Sequence, residues 1–179
     1  MSATPGPVRR QLEYLLNGFD FYGHRERLAE DDRLVRLRAA EGLGRALAHL
    51  RRAEALARAA LPTPTRERPW PDASALARVR DLEAVAQAVA DAEARVRALP
   101  LPHLDRTWER LRSSAAALEL LLEHDLGLVG AADRLAEHAR AVAEDPAGAP
   151  LGPVREALAA FEAALQARQA DLEAPVSPA

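Results

Sequence analysis

Apolar residues recur at helical spacing along four long stretches of the chain, and proline-rich breaks separate these stretches. In the first stretch, from about residue 24 to 61, apolar residues return at steps of three, four or seven. Such steps place side chains on one face of an α-helix, so this stretch predicts the first long helix. Its stripe consists of Leu28, Val35, Ala39, Leu43, Ala46, Leu50, Ala53, Ala57 and Ala60.

Similar stripes predict a second and a fourth long helix. The second begins at Asp72 or Ser74, since either side chain can cap a helix start, and it runs to about Leu99. The fourth carries Pro153 in its first turn, where proline is tolerated, and it runs to about Glu173.

The third long helix is predicted from about residue 103 to 142, with Ser113 and Ser114 inside it. Glycine disfavours a helix interior, yet the apolar phase continues across Gly127 and Gly130. We therefore predict a kinked but continuous helix through both glycines.

Asp125 lies in line with the apolar seam of the third helix. Either the carboxylate is buried, with a raised pKa or with an arginine of the first long helix as its partner, or the kink leaves it in water. Because an unpaired buried carboxylate is costly, the sequence favours the second interpretation.

The pattern as a whole predicts an all-α fold. Pro7 opens a short N-terminal helix that ends at Leu16, because Asn17 and Gly18 accept the left-handed backbone that stops a helix. Short connections make sequential helices antiparallel. We predict an elongated antiparallel (up-down-up-down) helical bundle of four main helices plus a short N-terminal helix. We expect a single domain over 1–179, flexible ends at 1–6 and 174–179, and a proline-rich loop at 62–72 that acts as a spacer rather than a docking ligand.

Composition narrows the fold class and the chemistry. The apolar fraction is 49% but the aromatic fraction only 4%, and alanine and leucine dominate, which favours helices over sheets. The chain has no cysteine, and all 24 of its basic residues are arginine. These facts exclude a disulfide framework, a thiolate zinc site, a cysteine nucleophile and a lysine Schiff base. The missing lysine and isoleucine point to the GC-rich genome of a high-GC bacterium.

Charge is unevenly distributed along the chain, although the net charge is only −3. The first third is weakly basic and the last third is strongly acidic, so phosphate backbones gain little overall attraction. A membrane span needs about 18 apolar residues in succession, and the sequence has no such stretch. With no secretory signal evident either, we expect a cytoplasmic location.

Candidate chemistry is sparse. None of the five histidines has the spacing of a helical metal motif, and glycine-rich phosphate loops and serine nucleophile elbows are absent. We therefore predict a protein without enzymatic activity, without a cofactor and without a small-molecule substrate. An inter-helix metal site, with His49 near Glu119 or Glu123, is kept as an alternative.

Four of the seven aromatic residues lie between positions 14 and 22. Tyr14, Phe19, Phe21 and Tyr22 either close one end of the bundle as a hydrophobic plug or form a recognition loop. The plug is the favoured interpretation. Replacing Phe21 and Tyr22 by alanine would separate the two, since a recognition loop predicts lost partner binding with unchanged melting and a plug predicts a large loss of stability.

Interaction with another protein is the function that the sequence favours. Leu34, Leu37 and Leu56 lie off the main stripe, and the third helix is apolar nearly all round from 115 to 122. Such surplus apolar surface indicates a protein partner or self-association, as in a coiled-coil scaffold, an adaptor or a subunit of an assembly.

The candidate contact residues are Tyr14, Phe19, Phe21, Tyr22, Arg38, Arg45 and Arg52. A nucleic-acid-associated subunit, with Arg27 and these three arginines following a phosphate backbone, is the main alternative. It is not favoured, because eight acidic residues lie in the same third of the chain. A membrane-surface protein would need larger apolar residues than these alanine-rich stripes offer.

Overall fold

A computed structural model describes residues 6–63, 65–66, 70 and 72–174 of the chain. Helices and their connections account for these residues, and none of them lies in a β-strand. The helices are α1 (Pro7–Leu16), α2 (Leu28–Ala59), α3 (Ala73–Ala98), α4 (Leu104–Ser113), α5 (Ala115–Glu144) and α6 (Gly152–Glu173), with a 3₁₀ turn at Arg25–Arg27 before α2. The all-α prediction is confirmed.

The four long helices pack in the spatial order α3, α2, α5, α6. Arg36 of α2 bonds to the carbonyl of Leu99, just beyond the end of α3, whereas Arg58 lies near Glu83, so α2 and α3 are antiparallel. Helix α1 packs mainly against α5, and α4 also rests on α5.

The two central helices, α2 and α5, run in the same direction. Arg168 of α6 bridges Asp32 and Asp125, and ten residues further along α2 the backbone of Gly42 meets Ala132. Helix direction therefore alternates over the four long helices as predicted, and the parallel pair α2 and α5 shares the largest interface of the bundle.

The close approach of α2 to α5 depends on Gly42. A Cβ atom at this position would lie 2.7 Å from the Cβ of Ala132, much closer than carbon atoms pack. The alanine-rich stripes around this point let the two backbones come together, and the larger leucines and valines of both stripes fill the core on either side.

Most predicted helix ends are confirmed. Helix α1 ends at Leu16, and the next residue, Asn17, has a left-handed φ of 49°. Asp72 caps α3 by accepting a hydrogen bond from the backbone N–H of Ser74 at 2.7 Å. Helix α5 is continuous through Gly127 and Gly130, as the persistent apolar phase indicated.

The prediction that one helix runs from about 103 to 142 is wrong at Ser114. This residue is extended, with φ −140° and ψ 110°, and it separates α4 from α5. Its hydroxyl accepts a hydrogen bond from the backbone N–H of Ala117 at 3.2 Å. Serine competes with the helix for backbone hydrogen bonds, so it ends one helix and caps the next.

Two large apolar side chains outside the core are exposed. Leu120, in the apolar stretch at 115–122, is 44% exposed, and Trp70, in the loop before α3, is 82% exposed. Most of the expected flexible ends, and five of the eight residues from 64 to 71, lie outside the described residues. Among the helices that the structure describes, none is both long and apolar enough to cross a membrane.

Candidate functional site

A chain of buried charged groups crosses one end of the bundle. Arg168 of α6 donates from Nε to the Oδ1 of Asp125 on α5, and from Nη2 to the Oδ1 of Asp32 on α2 at 2.7 Å. The other oxygen of Asp32 lies 2.8 Å from Nη2 of Arg36. The hydroxyl of Tyr22 donates to the Oδ2 of Asp125 at 2.6 Å. We call these five residues the charged network.

The charged network is balanced in charge. Its two arginines face two carboxylates, so each ion that leaves water finds at least one opposite charge. Arg168 and Asp125 are almost completely buried, and Asp32 is equally enclosed. The network therefore joins α2, α5 and α6 through strong, directional, charge-assisted bonds.

Burial is the largest influence on the pKa of two members of this network, Asp125 and Tyr22. It raises the pKa of Asp125 above the ordinary aspartate value, against the opposing influence of Arg168 and the Tyr22 hydroxyl. Burial and the neighbouring Asp125 carboxylate also raise the pKa of Tyr22 well above that of a free tyrosine. Tyr22 therefore stays protonated at neutral pH and acts as a hydrogen-bond donor to Asp125.

The segment that brings Tyr22 into the core is bent by left-handed residues. Asn17, Asp20 and Tyr22 have positive φ angles of 49°, 52° and 57°. The Tyr22 backbone N–H donates to Asp31 of α2 at 2.8 Å, while Asp20 accepts from Arg9 of α1 at 2.9 Å. These bonds hold a strained backbone that would otherwise be unfavourable for residues other than glycine.

The predicted aromatic group divides into two pairs. Phe21 and Tyr22 are buried and pack edge to face, with ring centroids 6.2 Å apart. Their side chains form the favoured plug and do not belong to the surface. Tyr14 and Phe19 are 84% and 75% exposed, so a role in recognition stays a prediction for these two.

The three predicted contact arginines have different surroundings. Arg38 lies 3.1 Å from Asp133 of α5, and Arg45 binds the other oxygen of the same carboxylate. Arg52 is exposed and forms no ion pair with any residue that the structure describes. Two of the three therefore support the α2–α5 interface.

Asp125 is not in water, so the favoured interpretation from sequence is wrong for this residue. The helix does not expose it at Gly127, and Arg168 supplies the missing opposite charge. This arginine comes from α6 rather than from the first long helix. The charge of the buried Asp125 carboxylate is therefore balanced by an arginine of a different helix from the one expected.

A signal for the charged network is nevertheless visible in the stripes. Asp125 takes the seam position between Leu122 and Val129, and Arg168 takes the position between Leu165 and Leu172. Opposite charges that replace apolar residues in the seams of different helices are candidates for a buried ion pair. A scan of the stripes for such gaps would have found both residues.

The proposed metal pair is not brought together. Helices α2 and α5 are parallel, with Gly42 level with Ala132, so His49 lies level with about residue 139. At 1.5 Å per residue, Glu123 is displaced from His49 by about 24 Å along the bundle, and Glu119 by more. Among the described residues, no group of three or more histidine and acidic side chains could hold a metal ion.

The charged network lies under a cleft of about 410 Å³. Asp32, Arg36 and Arg168 form part of its wall, with the 99–103 linker opposite. Beside it, Arg110 of α4 and Asp171 of α6 form a second enclosed ion pair at 3.0 Å. This end of the bundle is thus held together by charges from four helices.

Leu37 is a half-exposed leucine on α2, 44% accessible, in the middle of a grooved surface. One groove, of about 360 Å³, separates it from α3, and another, of about 310 Å³, separates it from α1. We call Leu37 and these two grooves the Leu37 face. The grooves are lined by Arg33, Arg36, Ala40, Val96, Arg97 and Leu99 on the α3 side, and by Leu15, Leu16, Asn17, Leu34, Arg38 and Glu41 on the α1 side.

Comparison of the chain with protein-family models, with curated proteins and with solved structures gave no match.

Proposed function

We propose that this bundle is a non-enzymatic protein that acts through protein–protein contacts, as a scaffold, an adaptor or a subunit of an assembly. The Leu37 face is its docking surface in this proposal. The observation that carries it is an exposed leucine on a helix ridge between two grooves. Partner side chains that enter such grooves exclude water from both surfaces, and the buried apolar area then drives association.

The Leu37 face rests on a rigid base. Asp32 and Arg36, five residues and one residue before Leu37 on the same helix, belong to the charged network. Arg36 also donates to the carbonyl of Leu99, which fixes α2 against the end of α3. A surface that is already ordered loses less conformational freedom on binding, so more of the contact energy appears as affinity.

In this proposal the polar groups of the charged network have a structural role, not a catalytic one. Asp125 and Tyr22 are enclosed in the core and bond to each other and to Arg168. A group engaged in this way stabilises the neighbouring helices, and it would have to break those bonds before it could accept a proton from a substrate. The geometry thus supports a binding protein better than an enzyme.

The nucleic-acid alternative receives less support. Arg38 and Arg45 both bind Asp133, so a phosphate would compete with a carboxylate already in place. Such competition lowers the gain from each phosphate contact. We keep the protein partner as the proposal.

Site-specific crosslinking tests the proposal. A photoreactive amino acid replaces Leu37 in the full chain, expressed in the organism that carries the gene. Leu56 is the matched control, because it is a leucine of the same helix with nearly the same exposure, 46% against 44%. We expect a discrete protein adduct from position 37 and none from position 56. Equal labelling from both positions, or none from position 37, contradicts the proposal.

A further inference from the structure

We infer that the partner presents an amphipathic helix to the Leu37 face, and that one flank of this helix is acidic. The acidic flank lies over the groove between α2 and α3. This inference rests on the proposed function and adds the chemistry of the partner. It follows from the shape of the face and from the arginines around one of its grooves.

The groove between α2 and α3 combines an apolar floor with a positively charged rim. Leu37, Ala40, Val96 and Leu99 supply the apolar surface. The other residues that line it are Arg33, Arg36 and Arg97, so none of the described side chains in its lining is a carboxylate. A segment with apolar residues in the centre and carboxylates at the edge matches this arrangement.

The positive charge at the rim is not fully neutralised within the chain. Arg36 faces Asp32, and Arg97 lies 2.8 Å from Glu93 one turn earlier on α3. Arg33 is exposed and forms no ion pair with any described residue. The groove therefore retains at least one unpaired positive charge, which favours acidic partners and disfavours basic ones.

The second groove explains why only one flank of the partner should be acidic. It contains Glu41 beside Arg38, and Arg38 is already bound to Asp133. This side of Leu37 therefore offers no comparable excess of positive charge. A partner helix with carboxylates on its α3 side and neutral residues on its α1 side complements both grooves.

The shape of the face favours a helix over an extended strand. Leu37 stands on a ridge with a groove on each side, and a second helix packs its own ridges into such grooves. Apolar residues three and four positions apart on the partner would straddle Leu37. The face is formed by helices, which offer no row of free backbone groups for strand addition.

Selection from a displayed peptide library tests the inference with the full chain as bait. The library consists of amphipathic helices with a fixed apolar stripe, and each flank position is randomised among Glu, Gln and Lys. We expect enrichment of Glu on one flank only. The selected peptides should bind the Leu37→Ala variant at least about tenfold more weakly than the unchanged chain, whereas Leu56→Ala should bind them normally.

Charge reversal supplies the second arm of the experiment. Arg33→Glu should weaken binding of the selected peptides roughly threefold to tenfold at low salt. The effect should be smaller at high salt because ions screen exposed charges. Arg51→Glu is the matched control, since Arg51 is also an exposed arginine of α2 without an ion pair to any described residue, but lies outside the grooves. With Arg33→Glu as bait, the same selection should lose its preference for Glu.

The possible outcomes separate the inference from the proposed function. Peptides that depend on Leu37 but show no preference for Glu overturn the acidic flank and leave the docking surface intact. Peptides whose affinity does not change in the Leu37→Ala variant contradict both the inference and the proposed function. If sedimentation shows a dimer of the full chain that Leu37→Ala abolishes, the occupant is a second copy, and the inference is overturned.

Discussion

At the scale of single residues, Arg168 has the least replaceable position in the core. It is among the largest fully buried side chains and carries a charge that two carboxylates balance. Moving such a group out of water costs several kcal/mol, so the network adds little net stability compared with a well-packed apolar core. Its main effect is to select one arrangement of α2, α5 and α6, because only that packing pairs all of these charges.

Replacement of Arg168 by leucine should therefore destabilise the protein strongly. Asp125 would keep only the Tyr22 hydroxyl as a partner, while Asp32 would keep Arg36. Removing one member of a buried ion pair typically costs about 3–5 kcal/mol. The double variant Arg168→Leu/Asp125→Asn leaves the network neutral and should recover part of this loss. Urea unfolding followed by circular dichroism measures both, and a double variant less stable than Arg168→Leu would contradict the charge balance.

The loss in Arg168→Leu should also depend on pH. Arg168 lowers the pKa of Asp125, whereas burial raises it, so removal of the arginine raises the folded-state pKa further. A raised carboxylate pKa means that the folded state binds the proton more tightly than the unfolded state, for which the pKa is about 3.9. Relative stability then improves as the pH falls below the folded-state pKa. We expect a smaller deficit against the unchanged chain at about pH 4.5 than at about pH 7.5. A deficit that does not shrink would show that Asp125 does not take up the proton.

At the scale of helices, two glycines in similar positions have opposite roles. Gly42 and Gly127 both lie inside long helices, where alanine is preferred by about 1 kcal/mol. A Cβ at Gly42 would collide with Ala132, whereas a Cβ at Gly127 meets nothing within 4 Å. Gly127→Ala should therefore raise the free energy of unfolding by about 0.5–1 kcal/mol, and Gly42→Ala should lower it. Thermal unfolding of the two variants checks this. Stabilisation by Gly42→Ala would mean that α2 and α5 are not tightly apposed there.

The break between α4 and α5 gives another prediction at this scale. Ser114→Ala removes the hydroxyl that accepts the Ala117 N–H, and loss of such a cap costs about 0.5–2 kcal/mol. Ser113 is the control, because its hydroxyl bonds to the carbonyl of Arg110 within α4 and caps no helix start. Chemical denaturation should show a larger loss for Ser114→Ala than for Ser113→Ala. Equal losses would argue against a capping role.

The sequence predictions are right where a periodic apolar pattern determines the structure and wrong where it does not. Stripes of apolar residues specify each helix and its buried face, so α2, α3 and α6 were found nearly complete. The stripe keeps its phase from Leu111 to Leu118, so the break at Ser114 leaves no trace in it. Periodicity also says nothing about which helices are neighbours. The meeting of Asp125 with Arg168 depends on the packing of α5 against α6, and that information is not local.

At the scale of the whole molecule, the two ends of the bundle are held differently. The charged network and the Arg110–Asp171 pair tie one end. At the other end, Arg78 of α3 donates to the backbone carbonyls of Pro146 and Ala149, in the connection between α5 and α6. Helices α2 and α5 form the centre, and α1 and α4 are short and lie at the periphery.

This arrangement predicts a gradient of local stability that hydrogen exchange can measure. Backbone amides in residues 35–53 of α2 and 121–142 of α5 open only when the bundle itself opens, because both helices are packed between other long helices. Amides of α1 and α4 should exchange much sooner, since each of these ten-residue helices can detach without separating the central pair. In Arg168→Leu, exchange should accelerate most in the parts of α2, α5 and α6 that carry the charged network, and least near Arg78. Uniform acceleration along all three helices would instead mean that the bundle unfolds as one cooperative unit and that the network does not act locally.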